Sequence, residues 1–144
     1  MLVPDYVPPA REYDHMRIFV ADARKDLRLA LQMLLNQQPG MHVIGIAVRS
    51  DGLVEQVTVT KPDLLLVNWD LPGQNLAGKL AQLRLQISGL KIVVLSARPE
   101  AGTPAFAAGA DEFVDMSMNP EDLLEKLLAF VDQGGQTSPL EASR

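Results

Sequence analysis

Leu64-Leu65-Leu66-Val67 is an unbroken apolar run with none of the alternation that marks a strand with one wet face. A strand this short and this apolar needs cover on both sides, and a parallel sheet with helices on each face provides it. Polar residues then arrive together: Asn68 and Asp70, followed by the Pro72-Gly73 turn. In open parallel sheets the site lies beyond the carboxyl ends of the strands, so this edge is where chemistry is expected. The amide at 68 is the feature there that most needs a reason.

The rest of the chain supplies the strands and crossovers that such a sheet requires. Arg17 to Asp22 is β-branched and aromatic-bearing and ends in an acid, a first strand. Asp26 is placed to cap a first helix in which Leu27, Ala30, Leu31 and Leu34 recur at helical spacing, ending at Gln38-Pro39-Gly40. Met41 to Val48 is a second strand, and Ser50-Asp51 is expected to cap a second helix with Leu53, Val54 and Val57 inward. Val57 to Thr60 has strand propensity, but an element between two parallel strands must be a crossover, so it is read as helix.

Leu76, Leu80, Leu83 and Ile87 mark a third helix, and Lys91 to Ser96 a fourth strand ending in a hydroxyl. Pro99, Gly102 and Pro104 leave room for a turn or two of fourth helix, starting near Pro104. Glu112 to Asp115 is a short fifth strand. Asn119 and Pro120 open a last helix with Leu123, Leu124, Leu127, Leu128 and Val131 on its apolar face. Trp69 reads as a core-facing residue rather than a recognition element. Five strand-then-helix units predict an α/β domain with a doubly wound parallel sheet.

Composition then narrows function. The chain of 144 residues has one domain's length. Residues 1–15, with three prolines, are expected to be a flexible arm, the alternative being that Leu2, Val3, Tyr6, Val7 and Tyr13 dock on a partner or second subunit. Residues 16–133 form the domain, and 134–144 a flexible polar tail. The absence of Cys excludes thiol catalysis and cysteine-held metal and fits a reducing cytosol. His15 and His42 are too far apart in sequence to suggest a metal pair. With 13 Lys and Arg against 18 Asp and Glu, the net charge of −5 argues against nucleic acid or an anionic membrane as partner. Without a signal peptide or a membrane-spanning run, a cytoplasmic location is expected.

These units, in this order, resemble the receiver domain of bacterial response regulators, the CheY-like superfamily, over about Met16 to Gln133. The likeness rests on Ile18 to Asp22, Pro62 to Asn68, Leu71-Pro72-Gly73, Val94 to Ala97, Gly109-Ala110-Asp111 and Asn119 to Leu123. It implies a flavodoxin-like (βα)5 sheet in the order 2-1-3-4-5, in three α/β/α layers, with its site at the carboxyl ends of strands one, three and four. A working receiver of that family takes a phosphoryl group from a histidine kinase onto an aspartate, with Mg²⁺ held by carboxylates.

Placed on that pattern, the phosphoacceptor position is Asn68 and the acidic pair is Ala21 and Asp22. The switch hydroxyl is Ser96, the switch aromatic Phe113, and the lysine position Met116. An amide is a poor nucleophile and forms no stable acyl phosphate. Ala21 removes a ligand, so Mg²⁺ at Asp22, helped at most by Asp70, is expected to be weak or absent. Asn68 has two simple structural partners on offer, the Ser96 hydroxyl and neighbouring backbone, and Asp22 has Arg24.

The resemblance and its gaps predict a stand-alone pseudo-receiver in two-component signalling, not an enzyme. It would bind a histidine kinase, a response regulator or another regulator through the face made by the fourth helix, fifth strand and fifth helix, with a homodimer as a further use of that face. One alternative is an active phosphoacceptor using Asp70 or Asp22 with Mg²⁺. Another is a small-molecule sensor at the carboxyl edge, although no phosphate-cradling glycine motif supports it. DNA binding is disfavoured, because no helix-turn-helix fits after residue 133.

Overall fold

A computed structural model describes residues 16–116 and 120–136. Five parallel strands alternate with five α-helices: β1 Met16–Ala21, α1 Lys25–Asn36, β2 Met41–Ala47, α2 Leu53–Thr60, β3 Leu64–Asn68, α3 Leu76–Gln86, β4 Lys91–Ser96, α4 Gly102–Ala107, β5 Glu112–Asp115 and α5 Pro120–Gln136. The sheet order is β2-β1-β3-β4-β5, the doubly wound flavodoxin-like arrangement. β3 lies at its centre, paired with β1 on one side and β4 on the other.

The unbroken run in β3 has a direct cause. Leu65 and Val67 join Phe19, Ile92 and Val94 under Leu53, Val57, Leu80 and Leu83 of α2 and α3. Leu64 and Leu66 point the other way, with Ile18, Val20, Val93 and Leu95, against Leu31 and Leu35 of α1 and Leu123 and Leu127 of α5. Successive side chains of a strand face opposite ways, so every position from 64 to 67 is inside. On the edge strand, Gly45 lies against the Phe19 ring, and a Cβ there would sit 2.6 Å from two ring carbons. A kink in the register between Ile18 and Phe19 occurs beside it.

Several boundaries differ from the sequence reading. Asp26 does not cap α1. The N-cap is Arg24, in extended conformation and without a side-chain cap bond, while Asp26 sits inside the first turn, where its charge suits the helix dipole. Nor does Ser50-Asp51 cap α2. Gly52 is the N-cap, at φ 75°, and the buried Ser50 is used elsewhere. Its N–H donates to Pro72 O (2.7 Å) and its hydroxyl to Gln74 O (3.2 Å), tying the loop after β2 to the loop after β3.

α4 begins at Gly102 rather than Pro104, because a 3-10 turn over Pro99–Ala101 leads into it. The helical reading of Val57 to Thr60 holds. α5 continues through Gly134 and Gly135 to Gln136, past the expected end of the domain at 133. The Asn119 cap and the arm of residues 1–15 lie outside the described residues.

Arg84 clips the far end of the sheet. It donates from Nη1 to Leu90 O (2.7 Å), from Nη2 to Gly109 O (3.0 Å), and to Asp111. Asp111 in turn accepts from the Ile92 N–H at 2.7 Å. α3 is thereby fixed to the amino ends of β4 and β5, leaving the opposite, carboxyl edge to carry the polar site.

Candidate functional site at the carboxyl edge of the sheet

Ala21, Asn68 and Ser96 end β1, β3 and β4. The register sets Ala21 beside Val67, Asn68 beside Leu95 and Ser96 beside Asp115. Asp22 follows Ala21 and is 1% exposed, so its charge must be answered locally or neutralised. Four donors answer it. Oδ1 accepts from the Arg24 backbone N–H (2.8 Å) and Arg24 Nε (3.1 Å). Oδ2 accepts from Arg24 Nη2 (3.0 Å) and Asn68 Nδ2 (3.1 Å). Arg28 adds a bond from Nη1 to the Asp22 carbonyl at 3.0 Å. The sequence reading had Arg24 as a partner of Asp22; the guanidinium also reaches the Met116 sulfur, 2.9 Å from Nη2.

These contacts explain the amide. Asn68, also buried, donates from Nδ2 to Asp22 and accepts at Oδ1 from the Asp70 N–H at 2.7 Å. The backbone partner expected for it is present, whereas the Ser96 hydroxyl is not its partner. Ser96 Oγ accepts from the Arg98 N–H at 3.0 Å. A carboxylate at 68 has no hydrogen to give Asp22, and two acids that close repel unless a cation lies between them. Asn68 satisfies both the Asp22 carboxylate and the turn with no cation between the two side chains.

Asp70 is half exposed, and its carboxylate pairs with the Arg98 guanidinium, a partner the sequence reading missed. The only available signal was position, two residues beyond Ser96 at the same edge. That hydrogen bond and then the negative charge raise the Arg98 pKa above its already basic value. Phe113 is half-buried on β5 and packs against the core beneath α2–α4, with Gly102 close to its ring. Met116, just past β5, lies on the other face, against the core beneath α1 and α5. Trp69 likewise packs on the core.

Mg²⁺ demands a regular shell of oxygens. Ala21 supplies no side-chain oxygen, Asn68 Oδ1 is held by the Asp70 N–H, and both Asp22 oxygens already accept two hydrogen bonds each. Among the described residues no three acidic, histidine or cysteine side chains cluster as a metal site would need. As arranged, the pocket does not fit the ion.

The sequence matches the response regulator receiver domain family over residues 18–128. The chain belongs to that family. This receiver is 32% identical over 112 residues to the nitrate/nitrite response regulator NarL of Escherichia coli K12, a match covering 76% of this chain and 52% of NarL. It is 31% identical over 105 residues to protein-glutamate methylesterase/protein-glutamine glutaminase 5 of Myxococcus xanthus, covering 69% of this chain and 30% of that one. Its fold matches the solved receiver domain of a NarL regulator from Mycobacterium tuberculosis with a TM-score of 0.73 at 21% identity, over 83% of this chain and 98% of the other. The receiver thus spans about half the length of NarL. Both transcriptional or response regulators and protein-glutamate methylesterases are among its relatives. It is a receiver domain of two-component signalling. No helix among the described residues is long and apolar enough to cross a membrane.

Proposed function

We propose that this receiver is not phosphorylated at its strand-three position and acts in two-component signalling by binding other proteins in the cytoplasm. The reading rests on Asn68. Its amide lacks the nucleophilic carboxylate oxygen that forms an acyl phosphate, and both its polar ends are committed, to Asp22 and to the Asp70 N–H. Asp70 is a poor substitute, because it stands beyond the strand in an ion pair with Arg98.

The partner is a histidine kinase, a response regulator or another signalling protein. It docks on the face of α4, β5 and α5, where Phe106 stands half exposed, or a second copy of the chain uses that face. Ser96 and Phe113 keep the residue types of a two-position switch, so a partner that binds one arrangement better shifts the population without phosphate. The net charge of −5 weighs against nucleic acid as partner.

Incubation with Mg²⁺ and a small acyl phosphate donor, followed by intact-mass measurement, tests the reading. No phosphoryl adduct is expected on the unaltered chain. A stoichiometric, hydroxylamine-labile adduct overturns it, and loss of that adduct in Asp70→Asn would name Asp70 as the acceptor.

A further inference from the structure

We infer that Arg24 is the resident cation of this pocket. Its guanidinium is forked across both oxygens of Asp22 and rests on the Met116 sulfur, supplying the positive charge that a divalent ion would otherwise bring. The carboxyl edge therefore keeps one arrangement whether or not Mg²⁺ is present. This rests on the reading of Asn68 as a neutral member of the pocket and adds what replaces the metal.

Three observations carry it. The first is saturation: a carboxylate offers about four acceptor positions, and Asp22 uses four, three of them on Arg24. The second is geometry. A planar guanidinium matches a carboxylate edge with two parallel hydrogen bonds, Nε to Oδ1 and Nη2 to Oδ2, which a hydrated divalent ion must break before it can enter. The third is Met116. A cationic side chain there would face the same guanidinium, whereas the thioether offers a weak acceptor 2.9 Å from Nη2. Asn68, Arg24 and Met116 thus form one mutually consistent set around a single retained acid. The Arg24 side chain is 48% exposed, so it closes the mouth of the pocket and is replaceable without opening the core.

The test is Mn²⁺ binding, read from the loss of the free-ion electron paramagnetic signal, together with melting in EDTA and in Mg²⁺. The unaltered chain is expected to bind no Mn²⁺ at the pocket and to melt at the same temperature in both. Arg24→Ala leaves Asp22 with the Asn68 amide and a backbone N–H. It is expected to bind Mn²⁺ at least roughly tenfold more tightly than the parent and to melt roughly 4 °C or more higher in Mg²⁺ than in EDTA. Arg24→Lys keeps a cation and is expected to stay indifferent to metal. Asp22→Asn in the Arg24→Ala background is expected to remove the gain.

Mn²⁺ binding by the parent that Asp22→Asn abolishes, no gain in Arg24→Ala, or a gain in Arg24→Lys equal to that in Arg24→Ala overturns the inference. If Arg24→Ala is poorly folded in EDTA, recovery of its helical circular dichroism in Mg²⁺ supports the inference and failure to recover overturns it. Phosphoryl uptake by the unaltered chain bears on the functional reading, and metal binding bears on Arg24, so the two fail separately.

Discussion

Gly73→Ala is expected to lower the melting temperature by roughly 10 °C, a loss of about 3 kcal/mol. Gly73 adopts φ 116°, in the half of backbone space that strains any residue with a Cβ. The added methyl would also drive into the Ser50 hydroxyl and lie 2.7 Å from Asp51 Oδ1. Ser50 cannot retreat, because it is fully buried and bonded through its N–H to Pro72 and its hydroxyl to Gln74. Strain and overlap act at one point, and the only relief is to part the two loops that Ser50 joins. Those loops flank the edge that carries Asn68. Thermal melts of the two proteins side by side check it, and a change under about 2 °C would show that the loop junction yields freely.

Asp22→Ala is expected to destabilise by about 2–3 kcal/mol, the penalty for stranding a buried donor together with the loss of a charge-assisted pair. Asn68 Nδ2 loses its acceptor inside the protein, whereas Arg24, half exposed, turns into water. The sign is what discriminates. Where several acids crowd one pocket, removing one relieves repulsion and stabilises the metal-free protein. Here the polar side chains bonded to Asp22 are donors, so removal must destabilise. Asp22→Asn is expected to lose about half as much, since its single carbonyl oxygen can replace the acceptor on the Asn68 side or on the side of the Arg24 N–H and Nε, but its amide nitrogen then faces donors on the other. Urea unfolding of the three proteins reads both values from their midpoints.

The sheet was legible because its strands carry an unambiguous pattern. Leu64 to Val67 and Ile92 to Leu95 are continuous apolar runs, and only burial on two faces makes such runs useful. The bounds of β4 and β5 were readable from where apolar residues stop. The caps were not. Ser50 looks like a helix cap in isolation, and nothing local reveals that Pro72 and Gln74 return to claim its N–H and hydroxyl.

The site divided in the same way. Asp22 and Arg24 are two residues apart, so their pairing could be anticipated. Asn68 to Asp22 spans 46 residues and Arg24 to Met116 spans 92, distances that only the folded sheet closes. The resemblance to receivers named the positions, but the order of bonds among them came from side-chain geometry. Ser96 was offered as the partner of Asn68 because both end neighbouring strands, yet the Arg98 N–H reaches its hydroxyl.

The most direct measurement is a two-dimensional NMR titration of the isotope-labelled chain with Mg²⁺ and beryllofluoride, which mimics a phosphoryl group on an aspartate. With Asn68 at the acceptor position and Arg24 on Asp22, the amide signals of Asn68, Ser96, Phe113 and Met116 are expected to stay where Mg²⁺-free buffer leaves them. Saturable shifts centred on those residues would show an acid at this edge accepting the mimic, and would contradict a receiver that works without phosphate.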